Sequence, residues 1–388
     1  MLMPTANREF FIPGRIIYRE GALAALQPRL GSLGKKALIV TGKTVRTLEC
    51  LGSLTAMLEA SNTGYEVIDG ITGEPDDEMI ANGARAYRDA GCDFLIGIGG
   101  GSPIDSMKAI AVSVSGDLGI CDYYGKIIDL DLPKMVAIPT TAGTGSEATQ
   151  FTVITDSSRS IKMLLKGASL MQDFAIVDGT LGVSAPKSVT ASTGLDALTH
   201  AVEAYTSRLA QPLTDSLCIS SVKRLFEYLP RAYKDGGDLL AREQNAIAAL
   251  EAGIAINNSS VTIVHGMSRP IGALFHVPHG LSNAMLLYRC MDFVKDSARK
   301  RLAELSRAVG LSDIRTAEDT AADRFVFALG ELCSALDVPT VGGYNIPRQE
   351  YMSSLDKMVD DAIASGSPSN TQKLLTKEDI INIYRSVY

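Results

Sequence analysis

The sequence predicts an α/β domain with a parallel sheet over residues 1–183, followed by an all-α helical domain over residues 184–388. Two observations carry this. From about residue 35 to 180, short β-branched or apolar runs alternate with segments of helical period, the pattern of parallel strands with covering helices. After SAPKSV at 184–189 the strand-like runs become few and long amphipathic stretches take over.

The opening FFIPGRIIYREG reads as strand, turn and strand, a small hairpin leading into the first helix. ALIV at 37–40, FLIGIG at 94–99, MVAIP at 135–139 and FAIVD at 174–178 read as the parallel strands. In the second half, LTDSLCISSVKRLFEYLPRAYK and REQNAIAALEAGIAI carry apolar residues at i, i+3 and i+4. ASGSPSNTQ at 364–372 reads as a loop before a terminal helix.

At 388 residues, with 46% hydrophobic and 21% charged residues, the chain has the balance of an ordinary globular protein and the length of two domains. A formal net charge of -7, with no run of Lys or Arg, excludes a nucleic-acid surface and a basic membrane-binding patch. The expected partner is a small molecule. The N-terminus has no basic stretch leading into an apolar core, and no apolar run approaches the roughly 20 residues that span a bilayer, so a cytoplasmic protein is expected. Six cysteines without a CxxC pair suit reduced thiols better than a disulfide framework or a zinc ribbon.

Directly after FLIGIG come Gly99, Gly100 and Gly101, then Ser102, Pro103 and Asp105. Glycines allow close backbone approach, and a helix starting there would aim free N–H groups and a positive dipole end at an anion. The turn can cradle a pyrophosphate or be a tight structural turn. PTTAGTGSEAT at 139–149 follows the next strand and gathers Thr140, Thr141, Thr144 and Ser146. Two such loops at the ends of parallel strands match where open α/β sheets bind nucleotides.

Only four histidines occur, His200, His265, His276 and His279, and three of them fall between residues 265 and 279. In LDALTHAVEAY, Asp196 and His200 stand at i and i+4, the spacing by which one helix supplies two metal ligands, and Glu203 lies on the same face. With His265 and His279 they could close a four-ligand site, and one carboxylate with three imidazoles suits Fe(II) or Zn(II) better than Mg(II) or Ca(II). His276 is left as a candidate contact to substrate or nicotinamide, or as a solvated histidine.

GGGSPID, PTTAGTGSE, GLDALTHAVEAY and HGMSRPIGALFHVPHG together resemble the signatures of the iron-containing, group III alcohol dehydrogenases, and the resemblance runs nearly end to end. It implies a dehydroquinate synthase-like architecture, with a dinucleotide-binding α/β domain, a helical domain and an active site in the cleft between them. It places metal ligands on Asp196, His200, His265 and His279. Coenzyme contacts fall on Gly99, Gly100, Gly101, Ser102 and Asp105, and on Thr140, Thr141 and Thr144. The implied activity is metal-dependent, NAD- or NADP-linked interconversion of a short-chain aldehyde and its primary alcohol. A homodimer or larger homo-oligomer is expected.

Three departures mark this chain. Gly42, beside Lys43, stands where the family commonly has an Asp that meets the adenosine ribose, so nothing there repels a 2′-phosphate. Glu74-Pro75 replaces an Asn-Pro. Arg269 replaces the family's second histidine, four residues after the third ligand. If the segment before His265 is one continuous helix, Asn258, Thr262, His265 and Arg269 share a face bordering the active site. Arg269 is then a catalytic-site candidate, and with Asn258 and Thr262 it could hold a carboxylate or sulfonate tail, as on succinic semialdehyde or sulfoacetaldehyde. Pairing of Arg269 with Glu203 or with the coenzyme pyrophosphate is the alternative. A polyol dehydrogenase of glycerol or propanediol type, and a non-catalytic nucleotide-binding protein with a structural metal, are the rival functions.

Overall fold

The computed structural model describes residues 8–159 and 161–388. They cluster into two units, one made of the chain up to Thr140 with Ser146–Asp178, the other of Thr141–Gly145 with Gly179–Tyr388.

The first unit runs β1 (Arg15–Tyr18), β2 (Lys36–Val40), α1 (Lys43–Arg46), α2 (Glu49–Ala60), β3 (Gly64–Ile68), α3 (Asp77–Ala90), β4 (Phe94–Gly99), α4 (Gly101–Ser115), β5 (Lys134–Pro139), β6 (Phe151–Asp156), β7 (Ile161–Lys166) and β8 (Phe174–Val177). Six strands form one sheet in the order β1-β8-β5-β4-β2-β3, and every pair is parallel. Every residue of β4 is buried, as expected of an apolar run covered on both faces. Helix α3 starts at Asp76, whose carboxylate accepts from the Met79 N–H at 2.8 Å, and stops at Gly91 in the left-handed region at φ 65.

The strand order locates a binding crevice. From β2 the chain steps to β3 on one side, then returns to β4 on the other side of β2, so the winding reverses between β2 and β4. Open α/β sheets bind ligands at such a reversal, beyond the carboxyl ends of the strands. The loops there are Thr41–Lys43 and Gly99–Ser102, and the Thr41 hydroxyl ties the two strand ends by donating to the Ile98 carbonyl at 2.8 Å.

The expected N-terminal hairpin is not formed. Only Arg15–Tyr18 is a strand, and it lies parallel to β8, with Gly14 N–H donating to the Gln172 carbonyl and Arg15 N–H to that of Asp173. Gly14 serves this approach and does not reverse the chain: a Cβ there would lie 2.9 Å from the Asp173 carbonyl oxygen. The antiparallel pair β6–β7 was not among the expected strands.

The second unit contains α5 (Lys187–Thr206), α6 (Pro212–Lys234), α7 (Leu239–Asn258), α8 (Ile263–Phe275), α9 (His279–Ala308), α10 (Glu318–Ala335), α11 (Arg348–Ser353), α12 (Leu355–Ala364) and α13 (Lys377–Ser386). Its regular elements are helices throughout, among the described residues. Helix α5 is buried without interruption from Gly194 to Thr206, so it is the core helix of this unit.

The segment before His265 is not one continuous helix. Helices α7 and α8 meet at 104°, with Ser259 and Thr262 outside the helical region. Ser259 and Asn258 turn their side chains back onto the Ala255 and Ile254 carbonyls, and Asn370 donates to the Ser260 hydroxyl and the Val261 carbonyl. Asn258 therefore does not share a face with His265 and Arg269. Among the described residues no single helix is long and apolar enough to cross a membrane; α7 and α8 reach that composition only as a bent pair.

Candidate active site

Helix α5 puts Asp196, His200 and Glu203 on one face, all buried, so each needs a polar partner. Glu203 finds its partners at the start of α8. Its Oε1 accepts from the Thr262 hydroxyl and the Val264 N–H, both at 2.7 Å, which makes it a buried carboxylate capping a helix N-terminus. Its Oε2 lies 2.5 Å from His265 Nδ1. That pairing places the His265 proton on Nδ1 and leaves the Nε2 lone pair free, the tautomer a metal ligand needs.

Nε2 of His265 faces Asp196, 3.6 Å from Oδ1, and Nε2 of His279 lies 3.7 Å from the same oxygen. His279 opens α9, and Gly280 brings that helix end close to α5: a Cβ on Gly280 would fall 2.3 Å from the Ser192 carbonyl oxygen. Potential ligand atoms of Asp196, His265 and His279 all lie within 4.8 Å of one another. His200 stands beside this trio. Its ring stacks on His265 at 4.5 Å between centroids, and its Nε2 is 4.0 Å from Asp196 Oδ1.

The charge states of Asp196, His200 and His279 fit a cation. Burial pushes the Asp196 carboxyl up, but His200, His279 and His265 outweigh it and hold the group below its ordinary range. Burial lowers His200 to about 4 and His279 to about 3, while at His265 Glu203 and Asp196 together override burial and raise it. At the focus sits the Asn283 amide nitrogen, 2.7 Å from Asp196 Oδ1, 3.0 Å from His265 Nε2 and 3.3 Å from His279 Nε2. Two amide hydrogens cannot serve three acceptors, and Asn283 Oδ1 is buried without a partner among the described residues. One carboxylate oxygen and two or three imidazole nitrogens converging on one point form a donor set suited to Fe(II) or Zn(II). Asp196 and His265 side chains are 2% and 3% exposed, whereas that of His279 is 38% exposed, so the site opens on the His279 side.

In the first unit, α4 begins at Gly101 after Gly100, with no side chain capping it. Gly99 takes φ 149, and a Cβ there would meet Pro103 Cγ at 2.7 Å, so the turn needs glycine. The Thr140 N–H donates to the Gly99 carbonyl at 2.8 Å, which joins the ends of β4 and β5.

Comparison with known proteins decides the family. The description "Iron-containing alcohol dehydrogenase" matches residues 13–179, and "Fe-containing alcohol dehydrogenase family, C-terminal" matches residues 190–388. The chain belongs to the iron-containing alcohol dehydrogenases. It is an oxidoreductase of that family. It is 32% identical to the NADPH-dependent butanol dehydrogenase of Clostridium saccharobutylicum over 98% of this chain and 97% of that one. Against the NAD-dependent methanol dehydrogenase of Bacillus methanolicus it is 33% identical over 97% and 99%. The crystal structure of a 1,3-propanediol oxidoreductase superposes with a TM-score of 0.96 at 28% identity, covering 99% of this chain and all of that one. A sulfoacetaldehyde reductase from Bifidobacterium kashiwanohense, in complex with NAD+, gives 0.88 at 26% identity over 99% of both.

The positions expected to depart from the family pattern have definite surroundings. Arg269 lies on α8, one turn after His265, its guanidinium donating to the Ser367 hydroxyl at 3.1 Å. Among the described residues no carboxylate forms an ion pair with it. Glu203 is felt only at a distance, since both its oxygens are engaged elsewhere. Thr262, expected as a substrate donor, gives its hydroxyl to Glu203 instead. His276 ends α8, exposed and left-handed at φ 54. Gly42 precedes α1, and a Cβ there would lie 2.9 Å from the Ile71 carbonyl oxygen. Glu74 pairs with Lys162 at 2.5 Å. Asp105, expected to touch coenzyme, uses one carboxylate oxygen to accept from the Val153 N–H at 3.1 Å.

Asn283, Ser367 and Gly280 were not singled out by sequence. Asn283 stands at i+4 from His279, so the spacing that flagged Asp196 and His200 would have found it. Ser367 is 98 residues from Arg269, and no local signal joins them.

Proposed function

We propose that this enzyme interconverts a short-chain aldehyde and its primary alcohol with NAD or NADP, with Asp196, His200, His265 and His279 as metal ligands. The observation that carries the reading is the convergence of Asp196, His265 and His279 on one point, with His265 held as a ligand tautomer by Glu203. A bound Fe(II) or Zn(II) supplies Lewis acidity to the substrate oxygen. Glu203 fixes the His265 ring, and the free N–H groups at the start of α4, with Ser102 and Thr140, receive the coenzyme pyrophosphate. Support for the coenzyme site comes from its place at the winding reversal of the sheet.

The substrate class follows from Arg269. Arg269 is partly buried, and among the described residues its guanidinium bonds to a neutral hydroxyl alone; an anion is the group that would satisfy its remaining donors. The preferred substrate therefore carries a carboxylate or sulfonate next to a short aldehyde, in the manner of succinic semialdehyde or sulfoacetaldehyde. The test compares kcat/KM for sulfoacetaldehyde and propionaldehyde in wild type and Arg269→Ala, with chelator-stripped enzyme as control. A charge-assisted contact is worth about 1.5–3 kcal/mol, so the variant should lose about ten- to a hundredfold, for the acidic substrate alone. Equal losses on both substrates would assign Arg269 to the coenzyme or the fold. Full turnover without metal would overturn the metal reading.

A further inference from the structure

Helix α4 carries a fully buried lysine that the proposed chemistry does not use. Lys108 Nζ donates to the carbonyls of Ser146 at 2.7 Å, Thr149 at 2.8 Å and Phe151 at 2.9 Å, with the Thr149 hydroxyl at 3.0 Å. No carboxylate forms an ion pair with it among the described residues; Asp105 and Glu147 act from farther off, and burial lowers it to about 8. Four neutral oxygens thus surround one ammonium, a cradle of the kind that holds a bare cation, here filled from the helix. Asp105, three residues earlier on the same face, receives the Thr152 hydroxyl on its carbonyl at 2.8 Å and the Val153 N–H on its carboxylate. The adjoining face of α4 is apolar, with Ile104 and Met107 against Gly97 of β4, where a Cβ would come within 3.1 Å of both.

We propose that Lys108 is the positioning residue of the coenzyme site. Ridges of Ile and Met fix the depth of α4 on β4, but apolar contact tolerates sliding and rotation, whereas a four-oxygen cradle does not. The ammonium locks the rotation and height of α4 against the segment that follows β5, and so fixes where the N–H groups of Gly101 and Ser102 point. The inference rests on the start of α4 being the pyrophosphate site.

The experiment is NADH titration by fluorescence of the metal-loaded enzyme, for wild type, Lys108→Met and Thr149→Val, with metal content, thermal midpoint and aldehyde KM at saturating NADH measured alongside. Lys108→Met keeps an unbranched apolar stem and removes every donor. The expected result is about tenfold or greater weakening of NADH binding, with metal content and aldehyde KM within about twofold of wild type. Thr149→Val, which removes one of the four oxygens and keeps the lysine, should weaken NADH about threefold. A folded Lys108→Met that binds NADH like wild type overturns the inference. So does a joint fall of NADH affinity, metal content and thermal midpoint with Thr149→Val unchanged, which marks a purely structural lysine. If Lys108→Met does not fold, Thr149→Val decides by the presence or absence of the coenzyme-specific shift. Wild-type enzyme binding neither NADH nor NADPH would overturn the coenzyme reading itself, and this inference with it.

Discussion

Replacing Glu203 by Gln tests the metal site through one bond. The carboxylate is fully buried, with Oε1 receiving Thr262 and Val264 and Oε2 paired with His265 Nδ1. Gln keeps a carbonyl oxygen for the first two partners, so the cap on α8 survives. Toward His265 it presents an amide N–H instead of an acceptor. The ring must then accept at Nδ1, which moves its proton to Nε2, the atom facing Asp196. The loss is one buried charge-assisted hydrogen bond, about 1.5–3 kcal/mol, and removal of such outer partners typically weakens metal binding about 10- to 100-fold. The assay is competition of the metal-free variant against a chromophoric chelator for Zn(II), with far-UV circular dichroism confirming the helices. A folded Glu203→Gln protein with wild-type metal affinity would refute the tautomer argument and leave Glu203 as a helix cap only.

Two further expectations concern the first unit. Coenzyme choice should be lax, and Lys43→Ala should lower kcat/KM for NADPH severalfold while sparing NADH; an unchanged ratio would remove Lys43 from the 2′-phosphate. Gly42→Asp is a poorer probe, because its Cβ would press on the Ile71 carbonyl whatever the coenzyme. Glu147 is buried, and burial pushes its pKa from about 4.5 up to about 7 against the pull of Lys108. The folded state therefore keeps a proton that the unfolded chain releases, so stability present below about pH 4.5 should fall by about 3 kcal/mol as pH rises to about 7. Thermal midpoints of wild type and Glu147→Gln that run parallel across this window would contradict the buried-acid account.

The candidate metal cluster was legible because its residues obey simple sequence rules. Asp196 and His200 share a helix face by spacing, and scarcity of histidine made the cluster at 265–279 conspicuous. What composition could not show is which imidazole stands in line and which beside it, since that depends on how closely Gly280 lets α9 approach α5. The break at 259–262 was hidden for another reason. Helical period continues through Asn258 and resumes at Ile263, and the interruption is set by Glu203 and Asn370, neither of which is a neighbour in sequence. The hairpin expectation failed likewise, because Pro13-Gly14 carries the same composition whether the chain reverses or passes close to another strand.

The run PTTAGTGSEAT shows the same ambiguity within one motif. Its hydroxyls and glycines read together as a nucleotide loop, yet the glycines answer to packing in the second unit. A Cβ on Gly145 would lie 2.5 Å from Gly253 Cα on α7, and one on Gly143 would lie 2.6 Å from Thr193 Cβ on α5. Gly145 also holds φ 64, which L side chains rarely adopt. Thr140 and the residues from Ser146 onward are instead bonded within the first unit, to Gly99 and to Lys108. Glycine here allows close approach of backbone to helix. The motif is therefore two devices in one stretch of chain, and its glycines are accounted for by packing alone.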